Sequence, residues 1–535
     1  MIDAIRIENL RSLKDTGFIK FKKLNILLGS NSSGKSTFLR SFPLFAQSVK
    51  KNLRGPISWF DDSMVDFGNY ETAINFNAGK EDLISFSYRL QPPYFYNYRV
   101  VDFHIIGSSL FERCIDKFKE EIDCKVCFSN DKNGTYVNTI QLSTNDNICS
   151  FYIEKRDGYV KAKLNGTLFD IPNINWIHNT AQGILPRFEL LESENSFVRI
   201  SVRDLLLENV YETLRKYCRK NFSRLDRLQS IVLSWSFDKE KFLKMMQSKK
   251  TLKSLHAHAQ KWTLDNNEFL DIYNGILVYF FMNMINVLDS EMTSFYSRCG
   301  YVAPFRAEAS RYYRSQGLQV NDIDPYGRNL QEFISSLTKS QLDDYNYFLE
   351  NILKIKVFVK ASAGHYSIIL SDSNHQVNMT DVGFGYSQIL PILTKLWYAH
   401  SKKRLSRLRY SSYLMQSDVT LIEQPELHLH PAMQALVADA LVDFLEFSDS
   451  YDRNIMRDVL IVETHSQTII NRLGRRIREG KLSPDDVNIL LFSKDDLNAD
   501  TMIRVSTFNE KGQLINWPYG FLILIITSYA LLYYR

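Results

Sequence analysis

The segment Gly29-Ser30-Asn31-Ser32-Ser33-Gly34-Lys35-Ser36 holds the first residues able to do chemistry. Glycines at its first and sixth places let the backbone turn where a Cβ would block it. The loop amides and a helix N-terminus can then point at an anion. Lys35 suits the β- and γ-phosphates of a nucleotide, and the Ser36 hydroxyl suits Mg²⁺. With Thr37 in the first helical turn, Gly29, Ser30, Asn31, Ser32, Ser33, Gly34, Lys35, Ser36 and Thr37 form the candidate nucleotide loop.

Three later stretches complete a pattern. DVGFGYSQILPIL (381–393) is a Gly-x-Gly turn opening a helix. SDVTLIEQPELHLHP (417–431) is a strand with an acidic end, and DVLIVETHSQTII (458–470) is a strand running into a histidine. A glycine-rich helix start, then an acidic strand end, then a strand ending in His is the ABC-type order. Amides around Gly383 and Gly385 would then reach the γ-phosphate held by a second subunit. Glu423 falls at the Walker B position, expected opposite Ser36 across Mg²⁺. The next position commonly bears the general base. Here it is Gln424, which can orient water but cannot take its proton as a carboxylate does. Glu426 is the nearby carboxylate able to substitute if the loop turns it inward; otherwise it is a surface group. His465 is placed to sense the γ-phosphate. The usual signature serine is absent, Gly383 standing in its place, and Ser387 is the hydroxyl that can compensate. His428 and His430 suit a subunit contact better than a metal pair. Arg306 and Arg311 suit either a phosphate or interface contact or surface ion pairs.

These residues need strands to aim them. Leu24–Leu28 reads as a buried strand and 36–45 as a helix. Alternating β-formers in ISFSYRL, YRVVDFHIIG and ICSFYIEKRDGYVKAKL, punctuated by Asn133-Gly134 and Asn165-Gly166, predict antiparallel sheet. Residues 200–295 switch to helical periodicity, and NGILVYFFMNMINVL (274–288) reads as a buried helix, too short for a membrane span. The stretch from the P-loop to the TLIE strand exceeds what a compact P-loop core needs. The expected organisation is 1–75 as the first half of the core, 76–180 β-rich, 181–299 a helical insertion and 300–535 the second half. The fold class is α/β: an ABC-type P-loop ATPase head with an antiparallel β subdomain and a large, mainly helical insertion.

At 535 residues and net charge +5, the chain can bury a large core, and it allows an anionic partner without demanding one. Six scattered cysteines and a start, MIDAIRIENL, unlike a signal peptide point to a reducing cytoplasm. Cys124-Lys-Val-Cys127 lacks the second pair that a zinc or redox site needs. No sustained heptads occur, so no coiled-coil arm is expected. KKRLSRLRY (402–410) and RLGRRIREGK (472–481) suit nucleic-acid backbone, and equally a solvated helical face. The apolar end FLILIITSYALLYYR is short of a bilayer span, so no stable membrane insertion is expected.

Together IENLRSLKD (7–15), the P-loop, YVAPFRAEASRYY (301–313), DVGFGYSQILPIL, IEQPELHLHP, ETHSQTIINRLGRRI (463–477) and GQLINWPYGF (512–521) resemble the ABC-type ATPases related to the overcoming-lysogenization-defect proteins. Within that group they look most like the PtuA-like ATPase subunit of Septu and retron-linked anti-phage systems. The resemblance implies ATP and Mg²⁺ as cofactors, and two nucleotides sandwiched in a homodimer or higher even oligomer. It also implies a separately encoded HNH-type nuclease under the ATPase's control, since too little chain follows His465 for a nuclease domain. The alternative is a DNA-repair ATPase of the structural-maintenance or RecF kind, which the lack of heptads disfavours. A transporter subunit fits the large insertions poorly.

Overall fold

Leu24–Gly29 is buried at every position, as a strand can be only inside a sheet covered on both faces. It is the fourth strand of a seven-stranded sheet in the computed structural model. The order is Cys299–Val302, Val419–Glu423, Val459–Glu463, Leu24–Gly29, Val487–Lys494, Thr501–Phe508 and Leu514–Ile515. The first five run parallel, Thr501–Phe508 is antiparallel to its neighbour Val487–Lys494, and Leu514–Ile515 is antiparallel in turn to Thr501–Phe508. The structure describes residues 2–517 apart from 92–120, 145–148, 157–158, 170–173, 179–182, 191–209, 218–230, 233–234, 249–252, 315–316, 318–319, 373–374, 410–417, 450–457 and 495–499. The predicted strand YRVVDFHIIG, Cys114, Cys218 and the apolar end lie outside the described residues, as do the side chains of 402–410.

Around this sheet stand the P-loop helix Lys35–Val49 and the helices Phe384–Arg409, Pro431–Asp449 and Gln467–Arg478. A second, nine-stranded sheet is antiparallel and contains Ile84–Leu90, Ile122–Asp131, Gly134–Thr144, Ser150–Arg156, Tyr159–Leu164 and Thr167–Phe169. The chain's first strands, Ile2–Leu10, Leu13–Asp15 and Ile19–Lys20, join this sheet and not the parallel one. The β-rich segment is thus bound to the N-terminus by the ladder between Ile2–Leu10 and Ile84–Leu90. Cys124 and Cys127, three apart on one strand, fall on opposite faces and share no site.

The insertion is helical but not purely so. The strand Pro186–Leu190 pairs with Ile174–His178 across the expected boundary at 180. The helix anticipated over 274–288 runs from Asn267 to Ser297, capped by the Asn266 side chain on the Phe269 amide. By length and composition it could cross a membrane, yet 72% of its apolar stretch is buried inside the protein. Its C-terminal end packs on the P-loop helix: Phe45 stacks on Tyr296, and Phe42 lies against Phe295 and Tyr296. Tyr296 also shares a 3.0 Å hydrogen bond with Tyr88 of the antiparallel sheet. One aromatic core therefore joins the insertion, the second sheet and the helix that carries Lys35.

Candidate functional site

The P-loop joins the buried strand Leu24–Gly29 to the helix beginning at Lys35. Both glycines are required. A Cβ on Gly29 would lie 2.3 Å from the Phe492 carbonyl oxygen, and Gly34 has φ +98°, in the left-handed region. Ser30, Asn31 and Ser32 are exposed, whereas Ser33, Gly34 and Lys35 are buried and Ser36 and Thr37 half-buried. Thr501 Oγ1 donates to the Ser33 carbonyl at 2.9 Å and lies 3.0 Å from Ser12 Oγ, so a distant strand braces the loop. No local pattern marked Thr501. Lys35 Nζ donates to the carbonyls of Gly29 and Ser30 at 3.1 and 2.8 Å. Burial lowers its pKa, partly offset by Glu463 and Glu426.

Glu423, expected opposite Ser36, makes its hydrogen bonds to Arg40 and Tyr301 in this structure. Its Oε1 accepts from Arg40 Nε at 2.8 Å and from the Tyr301 hydroxyl at 2.9 Å, and its Oε2 accepts from Arg40 Nη2 at 2.8 Å. The carboxylate on Ser36 is Glu463: Ser36 Oγ donates to its Oε1 at 2.9 Å, with Lys35 Nζ 4.0 Å away. The physical reason is sheet order. Val459–Glu463 lies between the P-loop strand and the Glu423 strand, with Glu463 in register with both Leu27 and Glu423. Burial, reinforced by the Glu423 charge, pushes Glu463 up to about 7. Its Oε2 is buried without a hydrogen-bond partner.

Gln424 leaves the strand in the left-handed region, φ +42°, and its amide donates to the Glu463 carbonyl at 2.8 Å. Arg306 clamps this exit. Its guanidinium is buried and donates to the carbonyls of Ala303, Glu423 and Gln424. Burial pushes it down to about 10. Arg306 is thus a buried clamp on backbone carbonyls and not a surface ion pair, whereas Arg311 pairs with Asp381 at the surface.

Glu426 turns inward. It accepts from Thr464 Oγ1 at 2.8 Å and from the His465 amide at 2.6 Å, joining the two strand ends. Burial raises its pKa against those bonds. His465 is lowered to about 4, by burial first and Lys35 second, so its imidazole is neutral at pH 7.

The Gly-x-Gly turn is solvent-facing: Asp381, Val382, Gly383 and Phe384 are all exposed. Gly383 has φ +89° with open space where a Cβ would stand. Gly385 is different, since a Cβ there would meet Met433 Sδ at 2.9 Å. Ser387 is buried and donates to the Phe384 carbonyl at 2.7 Å. It secures its own helix start and offers nothing outward, contrary to the compensating role expected. His428 packs edge-on against Phe384, and His430 Nδ1 accepts from the Ala432 amide. Among the described residues no group of three metal-ligating side chains occurs. In the basic stretch 472–481, Arg472 and Arg476 bind Asp439 and Arg475 binds Glu479, which neutralises much of it.

A glycine cradle, a buried lysine, a serine hydroxyl and a buried carboxylate with an unpartnered oxygen match the donors that a magnesium nucleotide requires.

The AAA ATPase domain family profile matches residues 1–470. No curated protein matches the chain. Similar solved structures include an SMC head bound to the C-terminal winged-helix domain of ScpA. It is 10% identical, with 95% of this chain and 98% of that one covered, at TM-score 0.36. A Pyrococcus furiosus Smc head with an extended coiled coil, bound to the ScpA C-terminal domain, is 12% identical, with 95% and 96% covered, at TM-score 0.34. The SMC head domain of Thermotoga maritima is 9% identical, with 94% and 98% covered, at TM-score 0.29.

Proposed function

The chain belongs to the AAA ATPase domain family, and from that premise we propose that it is a slow ATPase of the ABC-type arrangement, in which bound ATP latches two copies together. The observation that carries this reading is Gln424. It occupies the position after the acidic strand end, its backbone is fixed by the Glu463 carbonyl and the Arg306 clamp, and it cannot accept a proton. Losing a general base costs ~10²–10⁴ in rate, while nucleotide binding does not need one. Glu426, already occupied by Thr464 and His465, supports the end of the strand bearing Glu463 and leaves Gln424 unassisted. The solvent-facing turn Asp381–Phe384 supports the two-copy arrangement, because it leaves room for a second nucleotide to approach from outside.

The ordered motifs resemble the PtuA-like subunits of Septu and retron systems, so the biological role proposed is control of a separately encoded HNH-type nuclease in anti-phage defence. ATP holds the subunits closed, and loss of ATP releases the nuclease. The test is steady-state ATPase of wild type beside Gln424→Glu. Wild type should turn over far below ~10 s⁻¹, a common enzyme rate, and Gln424→Glu should be faster. Wild-type turnover near that rate removes the latch reading. Stimulation by DNA would favour the DNA-repair alternative, and permease genes beside this one would favour a transporter.

A further inference from the structure

We propose that Arg306 is a positioning residue for hydrolysis: it holds residue 424 in place and, through Gln388, ties it to the helix that the Gly-x-Gly turn opens. This rests on the reading of Gln424 above and deepens it. Arg306 is buried, yet among the described residues no carboxylate accepts a hydrogen bond from it. Its charged neighbour Glu426 is taken up by Thr464 and His465. Nη1 donates to the Ala303 carbonyl at 3.2 Å and the Glu423 carbonyl at 3.4 Å, Nη2 donates to the Gln424 carbonyl at 3.3 Å, and Nε is buried without an acceptor. A cation so placed costs free energy, and an apolar side chain of like volume is often no worse for stability. What the arginine adds is a planar fork that reaches two successive carbonyls at once.

Residue 424 needs holding. Its φ of +42° lies in the left-handed region, which a side chain disfavours. Its amide donates to the Glu463 carbonyl at 2.8 Å, and its carbonyl accepts from the Leu427 amide at 3.1 Å as well as from Arg306. Arg306 is anchored in turn. The Ala303 and Ala307 amides donate to the Pro325 and Tyr326 carbonyls, both at 2.8 Å, so the chain is strapped down on each side of Arg306. The Arg306 carbonyl accepts from Gln388 Nε2 at 3.3 Å, and Gln388 is buried in the second turn of the helix Phe384–Arg409. That helix starts at the exposed turn Asp381–Phe384, where a second copy would dock. Phe384 also lies edge-on to His428, in the loop that follows Gln424. Contact at the turn therefore bears on residue 424 through two sets of packed neighbours.

The test is single-turnover ATP hydrolysis by the full chain, with ATP affinity read by calorimetry, in the wild-type and Gln424→Glu backgrounds. A carboxylate at 424 speeds hydrolysis only when it is aimed at the attacking water, so Gln424→Glu alone should gain about tenfold or more. In Arg306→Met the affinity should stay within about twofold of wild type, while the gain from Gln424→Glu should shrink to about twofold or less. Arg306→Lys should restore part of the gain, because an ammonium can reach a carbonyl but cannot fork across two. Gln388→Met keeps the guanidinium and removes only the tie to the helix. It should shrink the gain too, and it carries the test if Arg306→Met does not fold. A full gain in either variant overturns the assignment and leaves the ATPase reading standing. So does a loss of ATP affinity in Arg306→Met as large as its loss of rate, the mark of a merely structural role. No gain from Gln424→Glu in the otherwise wild-type chain overturns the reading of position 424 itself, and the assignment with it.

Discussion

Arg40 grips Glu423 through two parallel hydrogen bonds of 2.8 Å, from Nε to Oε1 and from Nη2 to Oε2. Glu423 is 1% exposed, so its hydrogen bonds come from that fork and from Tyr301 in place of water. Arg40→Ala should therefore destabilise the protein by about 3 kcal/mol, because breaking a buried pair strands the other charge. Arg40→Ala with Glu423→Gln should recover more than half of that loss. Urea midpoints of the single and double variants decide it, and additive losses would show that the pair is not coupled.

The P-loop carries the second prediction. Lys35→Ala should abolish ATP binding, since it removes the cation designated for the β- and γ-phosphates. Thr501→Val, which deletes the bond to the Ser33 carbonyl, should weaken ATP binding roughly fivefold, the scale of one net hydrogen bond of ~1 kcal/mol. Undiminished affinity in Lys35→Ala, read by titration calorimetry, removes the P-loop assignment.

The exposed turn gives the third. Gly385→Glu is a poor probe of a second subunit, because the new side chain would meet Met433 of its own chain. Val382 is 39% exposed and offers a cleaner site. Val382→Glu should leave ATP affinity and the monomer's thermal midpoint close to wild type, while lowering both ATP-dependent dimerisation and hydrolysis. Sedimentation velocity with ATP is the measurement, and an unaltered dimer would place the contact elsewhere.

Asp289 gives the fourth. It lies on the long insertion helix, accepts from the amides of Ile184 and Leu185, and has Arg187 as its charged neighbour. Burial pushes it up to about 6, against those bonds and Arg187. The folded chain thus holds this proton more tightly than the unfolded chain, whose aspartates titrate near 3.9. The contribution to stability is full below about pH 4 and is lost as pH rises through about 6, on the order of 2 kcal/mol. Asp289→Asn should remove that fall. Urea unfolding of both proteins at several pH values from 4 to 7 compares the slopes, and parallel slopes would refute it.

Much of this site is legible in the sequence because it is local. Gly29, Gly34, Lys35 and Ser36 are fixed by the needs of one turn, and Leu24–Leu28 and TLIE announce buried strands by composition alone. The apolar run at 274–288 marks a buried helix for the same reason. What sequence order cannot give is order across a sheet. Glu423, Glu463 and Ser36 are far apart in the chain, and only the insertion of Val459–Glu463 between two other strands sets Glu463 on Ser36 and leaves Glu423 to Arg40. The inward turn of Glu426, the Thr501 brace and the capture of Ile2–Leu10 by the antiparallel sheet are of the same kind. Each is a contact between residues that local propensity treats independently, and each is decided by which packing buries the apolar faces and pairs the charges together.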